Sequence, residues 1–199
     1  FHRLCVEADA VIEGFRPGVV QRLGVDYETL RSINPRIIYC SLSGFGQTGP
    51  YRGLPGHDIN YIALGGALGI TGHSVGPPAI PANLLADFAG GGMQAAIGVL
   101  VALLHRERTG EGQQIDVAMS DGVVALMATA FSDYFATGEA PRPGETRLTG
   151  ALPYYQSYLT KDGRYLSVGC LEPWFFENLC RLLDLNEFLP HQHDPEQWP

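Results

Sequence analysis

A chain of 199 residues with 45% apolar and 17% charged side chains is long enough to bury a sizeable core, and its apolar content excludes a disordered polymer. Thirteen Lys and Arg against 21 Asp and Glu give a net charge of −8, which excludes a nucleic-acid surface built on clustered cations. Cys5, Cys40, Cys170 and Cys180 are scattered, with no C-x-x-C spacing, and read as reduced thiols of an intracellular protein. The longest uncharged stretch is broken by Pro77, Pro78 and Pro81, so no membrane span is expected.

Residues 10–15 (AVIEGF) read as a short strand, and Pro17-Gly18 opens a helical turn reaching Arg22. Asp26 caps a helix to Ile33, which Asn34-Pro35 ends. Residues 36–43 (RIIYCSLS) form a buried strand, and strand–helix–strand at this spacing implies a parallel α/β unit. Residues 59–86 are expected as buried loop and short elements. Asp87 stands at the mouth of a helix over residues 88–109, closed by Gly110 with Arg106 and Arg108 in its last turn. Residues 114–119 alternate as a strand, and Ser120-Asp121 caps a helix to about Thr137. The polar, Pro- and Gly-bearing residues 138–150 are expected to be a linker. Beyond it, two strands flank Lys161-Asp162-Gly163-Arg164 as a hairpin, and Glu172-Pro173 starts a further helix. The organisation expected is a large α/β domain over residues 1–137, Rossmann-like with parallel strands, and a partial α+β domain over residues 151–199. A chain beginning at Phe1, with a helix start at Asp194-Pro195 close to its end, reads as the middle of a longer protein.

Gly44-Phe45-Gly46-Gln47-Thr48-Gly49 has the letters of a dinucleotide fingerprint. That site needs a helix opening within the glycines, and Pro50, Gly53, Pro55 and Gly56 forbid one, so the segment reads as a turn-rich loop. It delivers His57, which is either a structural hydrogen-bonding group or an acid/base group suited to neutral pH. Asp87 is either a helix cap or a functional carboxylate. Three glycines soon after it, Gly90 to Gly92 behind Phe88-Ala89, weaken a first helical turn by about 1 kcal/mol each, and suggest close approach of a ligand to exposed amides. Glu172 repeats the acid-at-a-helix-mouth arrangement, with dipole complementation as the plainer role. Arg16 and Arg22, bracketing Pro17-Gly18, are either a phosphate grip or solvated surface.

Taken together, residues 12–24, 39–52, 56–64, 86–92, 102–119 and 161–175 resemble the family III CoA-transferase (CaiB/BaiF) fold, most of all its α-methylacyl-CoA racemase branch. SGFGQTGP and the Asp87 segment are shared across that family, while GHDINY and LEP point to the racemase branch. The resemblance implies that His57 and Asp87 are acid/base groups on opposite faces of a substrate α-carbon, assisted by Glu172. It implies that Arg16 and Arg22 contact CoA phosphates and that Gly56, Asp58, Ile59, Asn60 and Tyr61 line the thioester. It further implies an interlocked homodimer with Glu172 acting in trans, no cofactor or metal beyond the CoA thioester substrate, and no nucleic-acid or membrane partner. By the same comparison the chain lacks the first part of the large domain and the C-terminal return, so it carries only part of such a site. CoA transfer with Asp87 as nucleophile, through an acyl-aspartyl anhydride, is the alternative chemistry, and a member that only dimerises is a third.

Overall fold

A computed structural model describes residues 1–198; the last position of the expected small domain, Pro199, lies outside them. The chain divides into two compact units, Phe1–Leu68 with Ile80–Thr137, and Gly69–Ala79 with Gly138–Pro199.

The first unit is an α/β layer structure. Helix α1 (His2–Cys5) leads to strand β1 (Ala10–Glu13), helices α2 (Val19–Leu23) and α3 (Tyr27–Ile33), and strand β2 (Ile38–Ser43). Helix α4 (Asp58–Leu64) follows, then a 3-10 turn (Ala67–Ile70). A π-helical segment (Leu84–Met93) runs directly into α5 (Gln94–Thr109), followed by β3 (Gln113–Ala118), α6 (Met119–Leu126) and α7 (Ala128–Thr137). The three strands pair in parallel in the order β1-β2-β3, with Cys40 opposite Ile12 and Ile115.

The central strand explains its own composition. Ile38, Tyr39, Cys40 and Ser41 are all buried because both faces of the sheet are covered. Tyr39 packs with Cys5, Leu30 and Ile37 on the α1/α3 side, and Cys40 packs with Ala95 and Val117 beneath α5. Asp26 caps α3 as expected, its Oδ1 accepting the Thr29 N–H at 3.2 Å and its Oδ2 the Thr29 hydroxyl at 2.8 Å. At the amino ends of the strands, the buried Arg106 guanidinium pairs with the Asp9 carboxylate at 2.7 Å and also donates to the carbonyls of Asp9 and Arg36. That clamp fixes the last turn of α5 to the residues that precede β1 and β2.

Several local expectations change. Within residues 59–86, expected as buried loop and short elements, Asp58–Leu64 lead in as a helix, and residues 73–80 are exposed rather than buried. The helix carrying Asp87 begins at Leu84, so Asp87 lies inside it instead of capping it. Ser120 and Asp121 sit within α6, whose N-cap is Ala118, and Met127 separates α6 from α7. Leu84–Thr109 is long and apolar enough to cross a membrane by length and composition. Here its Ala95 and Ala102 are buried and its Arg106 is tied to Asp9, as befits a helix laid on a sheet.

In the second unit, antiparallel strands β4 (Tyr155–Leu159) and β5 (Tyr165–Gly169) form the hairpin, with Gly163 at φ 80° as its turn requires. Helix α8 (Pro173–Leu182) packs Phe176 and Cys180 on Tyr154. Residues 138–150, expected as a linker, fold with this unit: Gly144 backs onto Ser74, and the Gln156 amide donates to the Gly150 carbonyl at 2.6 Å. All four cysteines are free thiols.

Candidate active site

Parallel strands leave a crevice beyond their carboxyl ends, and ligands of open α/β sheets bind there. In the first unit a cavity of about 570 Å³ occupies that position. Gly14 to Pro17 follow β1, Leu42 to Phe45 end β2, and Met119 follows β3; Arg52, Leu54 to His57, Asn60 and Tyr61 complete the wall. The Gly44 loop is pinned from two sides. The Ser120 N–H donates to the Gly44 carbonyl at 3.0 Å, and the Gln47 N–H to the Asp116 carboxylate at 2.9 Å.

His57 is the N-cap residue of α4 and is exposed on the cavity wall. Its backbone N–H donates to the Asn60 Oδ1 at 3.0 Å, which fixes the turn that presents the imidazole. Tyr61, one turn on, is 7% exposed. Its ring fills the space that side chains at Gly44 and Gly56 would take: a Cβ on Gly44 would stand 2.3 Å from the Tyr61 hydroxyl, and one on Gly56 2.7 Å from the ring. Phe45 meets the same ring edge-on at 5.1 Å. Burial raises the Tyr61 pKa, the Asp87 carboxylate raises it further, and Arg16 opposes both. The phenol therefore stays protonated at neutral pH, between a negative and a positive neighbour.

Asp87 is half-buried, and its carboxylate accepts from the Asn83 amide at 3.4 Å. Its backbone is held by a residue read from the sequence as a thioester contact. The side chain of Asp58 is 5% exposed and does not reach the cavity; its Oδ2 accepts both the Ala86 N–H, at 2.8 Å, and the Asp87 N–H, at 2.9 Å. The π spacing makes this necessary, because bonds such as Phe88 N–H to Asn83 carbonyl span five residues and leave the first donors of the segment without intrahelical partners.

The three glycines after Asp87 have a different role from the one expected. A Cβ on Gly90 would lie 3.0 Å from both the Met119 carbonyl and the Val123 N–H of α6, and one on Gly91 3.0 Å from the Met119 side chain. Both are buried. They admit a neighbouring helix, not a ligand; of the three, only Gly92 is exposed and would take a Cβ in ordinary contact, 3.5 Å from the Asp87 carbonyl.

The expected binding residues divide. Arg16, Gly56, Asn60 and Tyr61 line the cavity, while Asp58, Ile59 and Arg22 do not. Arg22 is exposed in the last turn of α2. Arg52 lines the cavity with Arg16 and was not singled out in the sequence, where its setting between Tyr51 and Gly53 gives only a turn signal. Glu172 belongs to the second unit, exposed, as the N-cap residue of α8 with Pro173 at the first helical position; it makes no side-chain capping bond. Among the described residues, no group of three His, Cys, Asp or Glu side chains is placed to hold a metal ion.

Fold and cavity define an α/β protein with a cavity at the carboxyl ends of parallel strands, lined by two arginines and an imidazole; Asp87, half-buried in the π-helical segment, is not among the lining residues. Residues 1–197 match CoA-transferase family III, and the chain belongs to that family. It is 46% identical over 199 residues to the alpha-methylacyl-CoA racemase of Homo sapiens, covering 99% of this chain and 52% of that protein. It is 39% identical to the acetyl-CoA:oxalate CoA-transferase of Acetobacter aceti, over 94% of this chain and 48% of that one. Among solved structures, a CAIB/BAIF family protein from Brucella suis matches with a TM-score of 0.79 at 36% identity, over 96% of this chain and 50% of that one. The chain spans about half the length of the curated relatives it matches.

Proposed function

We propose that the protein is a racemase of 2-methylacyl-CoA thioesters, working by 1,1-proton transfer through an enolate, with His57 and Asp87 as the two acid/base groups. The observation that carries this reading is the link between them. His57 stands on the cavity wall, and the next residue along, Asp58, holds the backbone of Asp87. The turn of the imidazole and the backbone of the carboxylate residue are thereby linked through one peptide unit and one hydrogen bond from the Asp87 N–H to the Asp58 side chain.

A hydrogen α to a thioester is a weak acid, so its removal requires a positioned base and donors for the enolate oxygen. One group takes the α-hydrogen as a proton; the electron pair passes to the thioester oxygen as the enolate; the other group returns a proton to the opposite face. Arg16 and Arg52 hold CoA phosphates. Glu172 assists from the second unit of a partner copy in an interlocked homodimer. The apolar outer face of α5, where Ile97, Leu100, Val101 and Leu104 are exposed, supports a larger assembly, because such a face is costly to leave in water.

Full-length protein incubated in D₂O with (2R)-2-methylacyl-CoA exchanges the α-hydrogen and inverts the centre; absence of exchange ends this reading. The CoA-transferase relatives favour a second one, in which Asp87 attacks the thioester carbonyl, expels CoA thiolate and forms a mixed anhydride. Hydroxylamine trapping at Asp87, together with an active His57→Ala variant, would decide for transfer.

A further inference from the structure

We propose that Asp58 is the positioning residue of this site: its buried carboxylate fixes the turn carrying Asp87 against the turn carrying His57. The proposal deepens the racemase reading and rests on it for its kinetic arm only.

Three observations converge. The carboxylate takes two backbone N–H donors 28 and 29 residues along the chain, at 2.8 and 2.9 Å, and one of them belongs to Asp87 itself. Its Oδ1 is buried and without a hydrogen-bond partner, so the group is not a fully satisfied cap chosen for stability alone. Its side chain stays off the cavity wall although its chain neighbour His57 and the nearby Asn60 and Tyr61 are on it.

The geometry around it is rigid at each end. On one side the Asn60 side chain locks the His57 turn through the His57 N–H. On the other, Gly90 and Gly91 wedge the π segment against α6, so the segment is anchored beyond Asp87 as well as before it. Asp58 is the join between these two anchored pieces. Charge-assisted bonds from a carboxylate to backbone amides are short and directional, which suits a joint that must hold two reacting groups in register. A displacement of about 1 Å between such groups costs on the order of 100-fold in rate, while Arg16 and Arg52, carried by other segments of the cavity wall, keep their places.

The test uses full-length protein with Asp58→Ala, which removes both acceptors, and Asp58→Asn, which keeps one oxygen for the same two donors. Hydrogen exchange at the Ala86 and Asp87 amides reads the positioning directly, without substrate. These two amides lose protection in the Ala variant, by about 10-fold or more, and keep it in the Asn variant, while β2 amides are protected in both. In D₂O, with each epimer of a 2-methylacyl-CoA, wild type exchanges and inverts both. Asp58→Ala still exchanges the epimer that His57 deprotonates but inverts it about 100-fold more slowly, at unchanged KM. Asp58→Asn inverts within about 10-fold of wild type. Unchanged protection of the Ala86 and Asp87 amides in Asp58→Ala overturns the proposal. So does an Asn variant that keeps protection yet loses inversion about 100-fold, since the charge and not the placement would then matter. Should the Ala variant fail to fold, the Asn variant decides by the same two readings. A wild type that exchanges no α-hydrogen ends the racemase reading, and the amide protection still judges Asp58.

Discussion

A Cβ placed on Gly122 would stand 2.0 Å from the carbonyl oxygen of Gly90, so α6 and the π-helical segment meet backbone to backbone. No side chain can be fitted between them without moving a helix. Because Asp87 lies three residues before Gly90, this contact and the Asp58 carboxylate between them set where the Asp87 side chain stands.

Gly122→Ala therefore destabilises the protein by about 3 kcal/mol or more, through overpacking that backbone cannot relieve by a rotamer change. Gly92→Ala is the control. Its nearest neighbour would be the Asp87 carbonyl at 3.5 Å, an ordinary contact, so the substitution is tolerated and gains up to about 1 kcal/mol of helix propensity. Urea unfolding of the two variants separates these outcomes.

Tyr61 couples Gly44 to the cavity. Gly44→Ala pushes the buried ring off the wall and costs about 1–3 kcal/mol, but in a Tyr61→Ala background the same change costs close to nothing. A double-mutant cycle on stability measures the difference, and additive costs would show that the ring does not occupy this space.

Arg16 and Arg52 face one cavity, while Arg22 does not. If CoA phosphates are bound there, Arg16→Ala and Arg52→Ala each raise the KM for an acyl-CoA about 10-fold at low salt, with kcat little changed. Arg22→Ala leaves it within about twofold. Added salt narrows the gap, because it screens exposed charges over roughly 8–10 Å. Equal effects from all three arginines would point to general electrostatics instead.

The Thr29 hydroxyl bond is the largest cause holding the Asp26 pKa below its ordinary value. A depressed folded pKa means that the ionised form stabilises the fold. That contribution is complete above the unfolded carboxylate pKa of about 3.9 and is lost as pH falls through the lower folded value. Asp26→Ala accordingly costs about 1 kcal/mol at pH 7, and the cost shrinks in acid. Unfolding curves at pH 7 and in strong acid test the sign.

Much of the fold was legible because its signals are local. The β-branched run before Ser43 demanded a strand covered on both faces, Asp26 and Asn34-Pro35 bounded α3, and Asp162-Gly163 marked the hairpin turn. Helix α4 escaped because it is seven residues long and its N-cap is a histidine, a weak start signal beside Ser, Thr, Asp or Asn. The cap reading of Asp87, one of the two open to it, fails because a helix start judged from sequence assumes α spacing, and the π segment begins three residues earlier.

By itself, then, the sequence determined the parallel α/β unit, the turn-rich approach to His57 and the identity of the titratable side chains, since hydrogen bonding between near neighbours and apolar periodicity are written in consecutive residues. Tertiary structure alone decided that Gly90 and Gly91 admit a helix, that Arg52 joins Arg16 while Arg22 stays apart, and that Asp58 turns inward to the amides of Ala86 and Asp87. Those facts depend on which backbone donors are left over when a helix widens, and on which segment happens to lie across from them. Neither is encoded within the span of one element.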